Sequence, residues 1–195
     1  VVQVVRDAWY HTKRKTNVYL VADVSGSMQG EKLAQAKEAF LAFLDLVRGE
    51  QERVGLIVFS SGVREAVPMA ELSANRRVLQ SAVSGLYADG DTALLDAVNL
   101  AYKHLQQRQD NERINAIVVM TDGKENNSRI RLKDLTGTLQ RGNQSGLPVV
   151  IFCVAYGSDA DMDTLERSDS YSIQIIRRGS PETVRQLYKL LSTYF

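Results

Sequence analysis

The sequence is short of most residues that build soft metal sites and crosslinks. It has a single cysteine, Cys153, and two histidines, His11 and His104. One cysteine cannot form an internal disulfide, and a thiolate zinc site needs several sulfur or imidazole ligands. A multi-histidine centre has no material. Charge of one sign is also missing. The 24 Lys and Arg stand against 23 Asp and Glu, a formal net charge of +1. That balance gives no global attraction to nucleic acid. Long apolar runs are absent as well. The longest, Leu147 to Tyr156, is interrupted by Pro148 and falls short of the roughly 20 residues that cross a bilayer. No signal peptide opens the chain, which starts at Val1 without a Met. We read it as a segment of a longer protein.

What is present is a soluble globular composition, 44% hydrophobic and 24% charged over 195 residues. Apolar strands alternate with amphipathic helices. Residues 17–23, 53–60, 114–121 and 149–156 read as buried strands, and 171–176 as a last one. Val63 to Met69 reads as an antiparallel partner of the second strand, with Pro68 marking a sheet edge. Leu33, Ala36, Phe40, Phe43, Leu44 and Val47 make one face of a helix over 31–48. Ser73 is placed as the N-cap of a helix running to about Ser84, and further helices follow Thr92 and start at Leu132. A short helix over Asp159–Arg167 and a C-terminal helix opened by Ser180-Pro181-Glu182 complete the pattern. The expected fold is α/β: a doubly wound, mostly parallel sheet with one antiparallel edge strand and helices on both faces. Residues 17–195 form one domain in this reading, and residues 1–16 the end of an upstream element and a connector carrying the basic stretch Lys13-Arg14-Lys15.

Doubly wound sheets bind ligands at the carboxyl ends of their strands, where the strand order reverses. Three loops meet that condition. The first reads Asp23-Val24-Ser25-Gly26-Ser27-Met28, with two hydroxyls spaced to point one way and a glycine to let the chain turn. The second is Asp89-Gly90-Asp91-Thr92, and the third is Thr121-Asp122-Gly123. Two carboxylates and three hydroxyls thus converge on one rim. Oxygen donors in that mix suit a hard divalent cation. Each of these residues has a plainer reading too. Ser25 and Ser27 suit a turn or cap, Asp122-Gly123 an ordinary turn, and Met28 either packs at the loop or forms an apolar rim. Lys124, Glu125, Asn126, Asn127 and Arg129 either tune partner choice or form a solvated loop.

The Asp23-x-Ser25-x-Ser27 motif with Thr92 and Asp122 resembles the metal-ion-dependent adhesion site of von Willebrand factor type A domains of bacterial type. The blocks Leu20 to Met28, Val54 to Ser60, Gly90 to Val98 and Val118 to Gly123 resemble that family as well. The resemblance implies a Rossmann-like fold and a bound Mg²⁺, with Mn²⁺ as a substitute and Ca²⁺ fitting less well. It implies Asp23, Ser25, Ser27, Thr92 and Asp122 as metal residues. Gly26, Met28, Asp91 and Lys124 are read from the sequence as candidates for the second layer or rim, and at Asp91 the chain departs from the Gly that many family members carry. The implied function is a protein-binding module that captures a partner's Glu or Asp carboxylate. An alternative is a regulatory or assembly domain of a larger ATPase-coupled machine such as a chelatase. An enzyme is not expected. No phosphate-cradling glycine loop follows the first strand, and Ser27 lacks the glycine two residues earlier that a nucleophile elbow requires. Neither nucleic acid nor membrane insertion is expected. The Trp9 to Lys15 lead-in resembles exported bacterial chains, which favours an extracytoplasmic location.

Overall fold

The structure, a computed structural model, describes residues 15–122, 125–156 and 173–177. Strand β1 (Thr16–Asp23) is followed by a 3-10 turn (Gly26–Met28) and helix α1 (Glu31–Leu46). Then come β2 (Arg53–Phe59), β3 (Val63–Glu71), α2 (Leu72–Ser84) and α3 (Leu94–Arg108). β4 (Ile114–Thr121), α4 (Leu132–Ser145), β5 (Val149–Ala155) and β6 (Ile173–Arg177) complete the order.

These strands form one six-stranded sheet in the order β3-β2-β1-β4-β5-β6. All neighbours are parallel except β2 and β3, which run antiparallel with an irregular register around Leu56. Pro68 sits on β3, at the sheet edge, where a strand residue without an N–H costs no ladder bond.

The near-continuous apolar strands follow from burial on both faces. Alternate side chains enter two separate layers. Val18, Leu20, Ala22, Val118 and Met120 pack under α1 and α2, against Phe40, Phe43, Leu44 and Leu79. Tyr19, Val21, Ile117, Val119 and Cys153 pack under α3 and α4, against Leu94, Val98, Leu105 and Leu139. Each fully buried Leu or Phe in these layers contributes about 1.5–3 kcal/mol relative to exposure. The predicted face of α1 is the buried one. Cys153 is a core residue whose thiol burial pushes up to about 12, which removes it from thiolate chemistry.

Element ends differ from the sequence reading in a few places. β3 runs on to Glu71, and α2 starts at Leu72, so Ser73 is not its N-cap. Asn75 explains the abrupt passage. Its buried side-chain amide donates to the carbonyls of Val54 and Pro68, which anchors the first turn of α2 to β2 and the edge strand β3. The expected helices over 159–167 and from Ser180, and the segment 1–14, lie outside the described residues. Among the described residues no helix is long and apolar enough to cross a membrane.

The chain winds outward from β1 through β2 to β3, then returns to β4 on the other side of β1. The reversal therefore lies between β1 and β4. Asp23 ends the first of these strands and Asp122 directly follows the second.

Candidate metal site

Asp23 is 1% exposed and Asp122 is 0% exposed, so two carboxylates lie buried side by side at the point of reversal. Asp23 accepts the backbone N–H of Ser25 at 2.8 Å on Oδ1 and the hydroxyl of Thr121 at 2.5 Å on Oδ2. Burial drives its carboxyl above the usual range, and the nearby Asp122 charge adds to the effect. Hydrogen bonds from Ser25 and Thr121 pull the other way without reversing it.

The hydroxyls continue from there. Ser25 Oγ lies 3.0 Å from Ser27 Oγ, and Ser27 Oγ donates to Asp122 Oδ1 at 3.0 Å. Ser25 occupies the N-cap position of the 3-10 turn but its side chain makes no capping bond. Its hydroxyl is turned towards Ser27 instead. Ser25 thus serves the turn through its backbone, whose carbonyl accepts from Met28 N–H, and not through its side chain.

Thr92 is buried as well. It reaches the rim through backbone contacts. Gly26 N–H donates to the Gly90 carbonyl at 2.8 Å, joining the first two loops. A Cβ on Gly26 would stand 3.4 Å from that carbonyl oxygen. Gly90 has φ +82°, a conformation that disfavours other residues, and a Cβ there would meet Ser61 Oγ at 2.6 Å. Ser61 Oγ in turn accepts the N–H of Asp91 at 2.8 Å. Val24 N–H to the Phe59 carbonyl, Asp89 N–H to the Val24 carbonyl and Ala93 N–H to the Ser60 carbonyl complete the stitching.

A helix start leaves backbone N–H groups unpaired, and a residue such as Thr92 commonly caps them. Here the loop after β4 does so. Glu125 Oε2 accepts from Leu95 N–H and Ser128 Oγ accepts from Asp96 N–H, both at 3.1 Å. Asn126 Oδ1 accepts the Thr92 N–H at 2.8 Å, while the Thr92 carbonyl accepts from the N–H groups of Asn126 and Asn127. Asp96 replies by accepting the N–H groups of Arg129 and Ile130. Glu125, Asn126 and Asn127 thus hold the Thr92 loop in place.

The remaining sequence candidates separate cleanly. Met28 is 0% exposed and packs in the layer under α1, so it is not a rim residue. Gly26 is at the rim, and Asp91 is exposed with its backbone fixed by Ser61. Lys124 lies outside the described residues. His104 is half-buried against Tyr19 and Glu65, with Nδ1 3.4 Å from Glu65 Oε1, on the α3 helix.

One charged group at the site was not expected. Lys32 Nζ donates to Asp122 Oδ2 at 2.9 Å. It sits in the first turn of α1, where the helix dipole disfavours a cation. That misplaced charge after the serine motif is the sequence signal that could have found it.

The donor set fits a hard cation. Among the described residues it offers hydroxyl and carboxylate oxygens and no sulfur or imidazole, with two buried carboxylates against one ammonium, that of Lys32. Among the described residues no three His, Cys, Asp or Glu side chains are grouped so that they could hold a metal ion.

The von Willebrand factor type A domain family matches residues 17–176. The chain belongs to that family. Human inter-alpha-trypsin inhibitor heavy chain H4 is 27% identical over 165 residues, covering 80% of this chain and 17% of the human protein. An uncharacterised protein of Synechocystis sp. is 28% identical over 182 residues, covering 90% of this chain and 41% of its own length. The chain therefore spans well under half of these relatives. Among solved structures, a von Willebrand factor type A protein from Catenulispora acidiphila superposes with a TM-score of 0.73 at 22% identity, covering 91% of this chain and 42% of that one. Manganese-loaded Plasmodium vivax TRAP protein gives 0.66 at 17% identity, covering 89% and 72%. Proximal thread matrix protein 1 from mussel byssus, with a zinc-occupied MIDAS motif, gives 0.71 at 14%, covering 91% and 44%. At these identities the structural likenesses speak to the fold.

Proposed function

We propose that this domain is a divalent-cation-dependent protein-binding module of a bacterial, extracytoplasmic protein, with Mg²⁺ as its cation. The observation that carries the reading is the run of oxygens from Ser25 through Ser27 to Asp122, backed by Asp23, at the reversal of strand order. Ser25, Ser27 and Thr92 would contribute hydroxyls, and Asp23 and Asp122 would hold the ion directly or through water. A bound cation would present an electrophilic position to a Glu or Asp side chain of a protein partner. The chain's own part is to converge these oxygens and hold them, through the Gly26–Gly90 contact and the Asn126 bonds to Thr92. The manganese and zinc named for two structural neighbours support a divalent ion at such a rim. No catalytic step is part of the reading. His104, which a hydrolytic mechanism would enlist as a base, is engaged with Tyr19 and Glu65.

Thermal melts of the chain in EDTA and in millimolar Mg²⁺ or Mn²⁺ test this. Free cation at about 100 times its Kd adds about 2.7 kcal/mol, or roughly 5–10 °C for a domain of this size. Asp23→Ala is expected to abolish the gain. An unchanged melting temperature in the unsubstituted chain would sink the reading.

A further inference from the structure

We propose that Lys32 is a built-in counter-ion of the site, competing with the divalent cation for Asp122 and so setting how much cation the module requires. The inference rests on the metal-site reading above and concerns how that site is tuned.

Asp122 is 0% exposed, and both its oxygens are taken. Ser27 Oγ donates to Oδ1, and the Lys32 ammonium donates to Oδ2 at 2.9 Å. A carboxylate buried to this degree is costly without a partner. Lys32 supplies one from the chain itself. The same Oδ2 is an oxygen that a divalent ion would draw towards it. Ammonium and divalent ion near one carboxylate repel each other, and the repulsion is strong where water is scarce. Binding the ion therefore works against Lys32.

The side chain is suited to yielding. It is 24% exposed, so its ammonium has a path to solvent. Lysine has a flexible stem and a compact, strongly hydrated head, and it makes no bidentate grip on a carboxylate as arginine does. Its place in the first turn of α1 adds a push outward, because the helix dipole disfavours a cation there. A divalent ion on Asp122 weakens the ion pair that Asp122 makes with Lys32. The expected behaviour is an exchange of one counter-ion for another, in which α1 and the rim stay in place.

Calorimetric titration of the 195-residue chain with Mg²⁺ and with Mn²⁺ provides the test, alongside Lys32→Met and Lys32→Arg. Lys32→Met should bind each ion about 10-fold more tightly, since the competing charge is gone. Lys32→Arg retains the charge and should stay within a few-fold of the parent. Melts in EDTA give a second readout. Lys32→Met should melt lower than the parent, because Asp122 loses its counter-ion, and should gain more on adding cation. Binding by Lys32→Met at or below the parent's affinity overturns the competition and leaves the metal site standing. Failure of both parent and Lys32→Met to bind either ion overturns the metal site and the competition together.

Discussion

Strands β1 and β4 lie side by side in the middle of the sheet, and polar residues collect at both of their ends. At the amino ends, Asn17 and Asn115 face each other across the pair, with Asn17 Nδ2 2.9 Å from Asn115 Oδ1. Asp110 lies beneath them and meets two guanidinium groups, Arg53 at 3.1 Å and Arg113 at 3.4 Å. Arg113 also donates to the carbonyls of Thr16 and Gln51, and Glu52 accepts from Thr16. One of the two guanidinium groups that meet Asp110, that of Arg53, also lies 3.9 Å from Glu71. At the carboxyl ends, Asp23 and Asp122 are more deeply buried, and among the described residues hydroxyls and Lys32 stand around them. Among the described residues, then, Asp110 at one end is met by two guanidinium groups, while the two buried carboxylates at the other are met by one ammonium. Burial of polar groups alone does not mark a site. Buried carboxylates at the reversal of strand order, where such sheets bind ligands, are what the proposed site adds.

Two matched substitutions separate the ends most sharply. Asp122→Asn keeps the shape of the side chain and removes a charge from the carboxyl end. The cation-induced rise in melting temperature should disappear, a loss of roughly 5–10 °C at saturating ion. Asp110→Asn makes the same change at the amino end. It should cost roughly 1–2 kcal/mol in EDTA, because Arg53 and Arg113 lose their shared carboxylate in a partly exposed setting. Its cation response should match the parent's. A cation response lost in Asp110→Asn, or kept in Asp122→Asn, would erase the distinction between the ends.

The contrast also explains which parts of the molecule could be read in advance. The fold was legible because burial on both faces leaves a local trace, as in Val18 to Ala22 and Ala116 to Met120. The oxygen set was legible because Asp23, Ser25 and Ser27 lie within one loop and Thr92 and Asp122 stand at recognisable element ends. What escaped depends on distant partners. Lys32 meets Asp122 across 90 residues, and Asn17 meets Asn115 across 98. Glu125 caps a helix that starts about 30 residues before it. No local periodicity encodes such pairings. Ser73 misled for a related reason: its residue type suits a cap, but Asn75 anchors α2 to β2 and β3, and the helix starts two residues sooner than a Ser73 cap would allow. Met28 could be read either way, and only the packed layer under α1 decides it.

The smallest expected effect concerns pH and the Asp23 carboxyl in the absence of cation. Burial raises its folded-state pKa above the value of about 3.9 expected in the unfolded chain. The native state therefore holds that proton more tightly than the unfolded state does. Asp23's contribution to stability is fully present below the unfolded value and is lost as pH rises through the raised folded value. At neutral pH in EDTA the ionised carboxylate opposes folding, and Asp23→Asn should melt above the parent. As pH falls through the raised value, the parent takes up its proton and the gap between the two should narrow, closing as the unfolded value is approached. Saturating Mg²⁺ at neutral pH should invert the order, because only the parent retains a charge for the ion. Denaturant midpoints of both proteins across that pH range measure the gap directly. A gap that stays constant from neutral to acid pH would mean that Asp23 is as well balanced as Asp110 at the opposite end of the same strands.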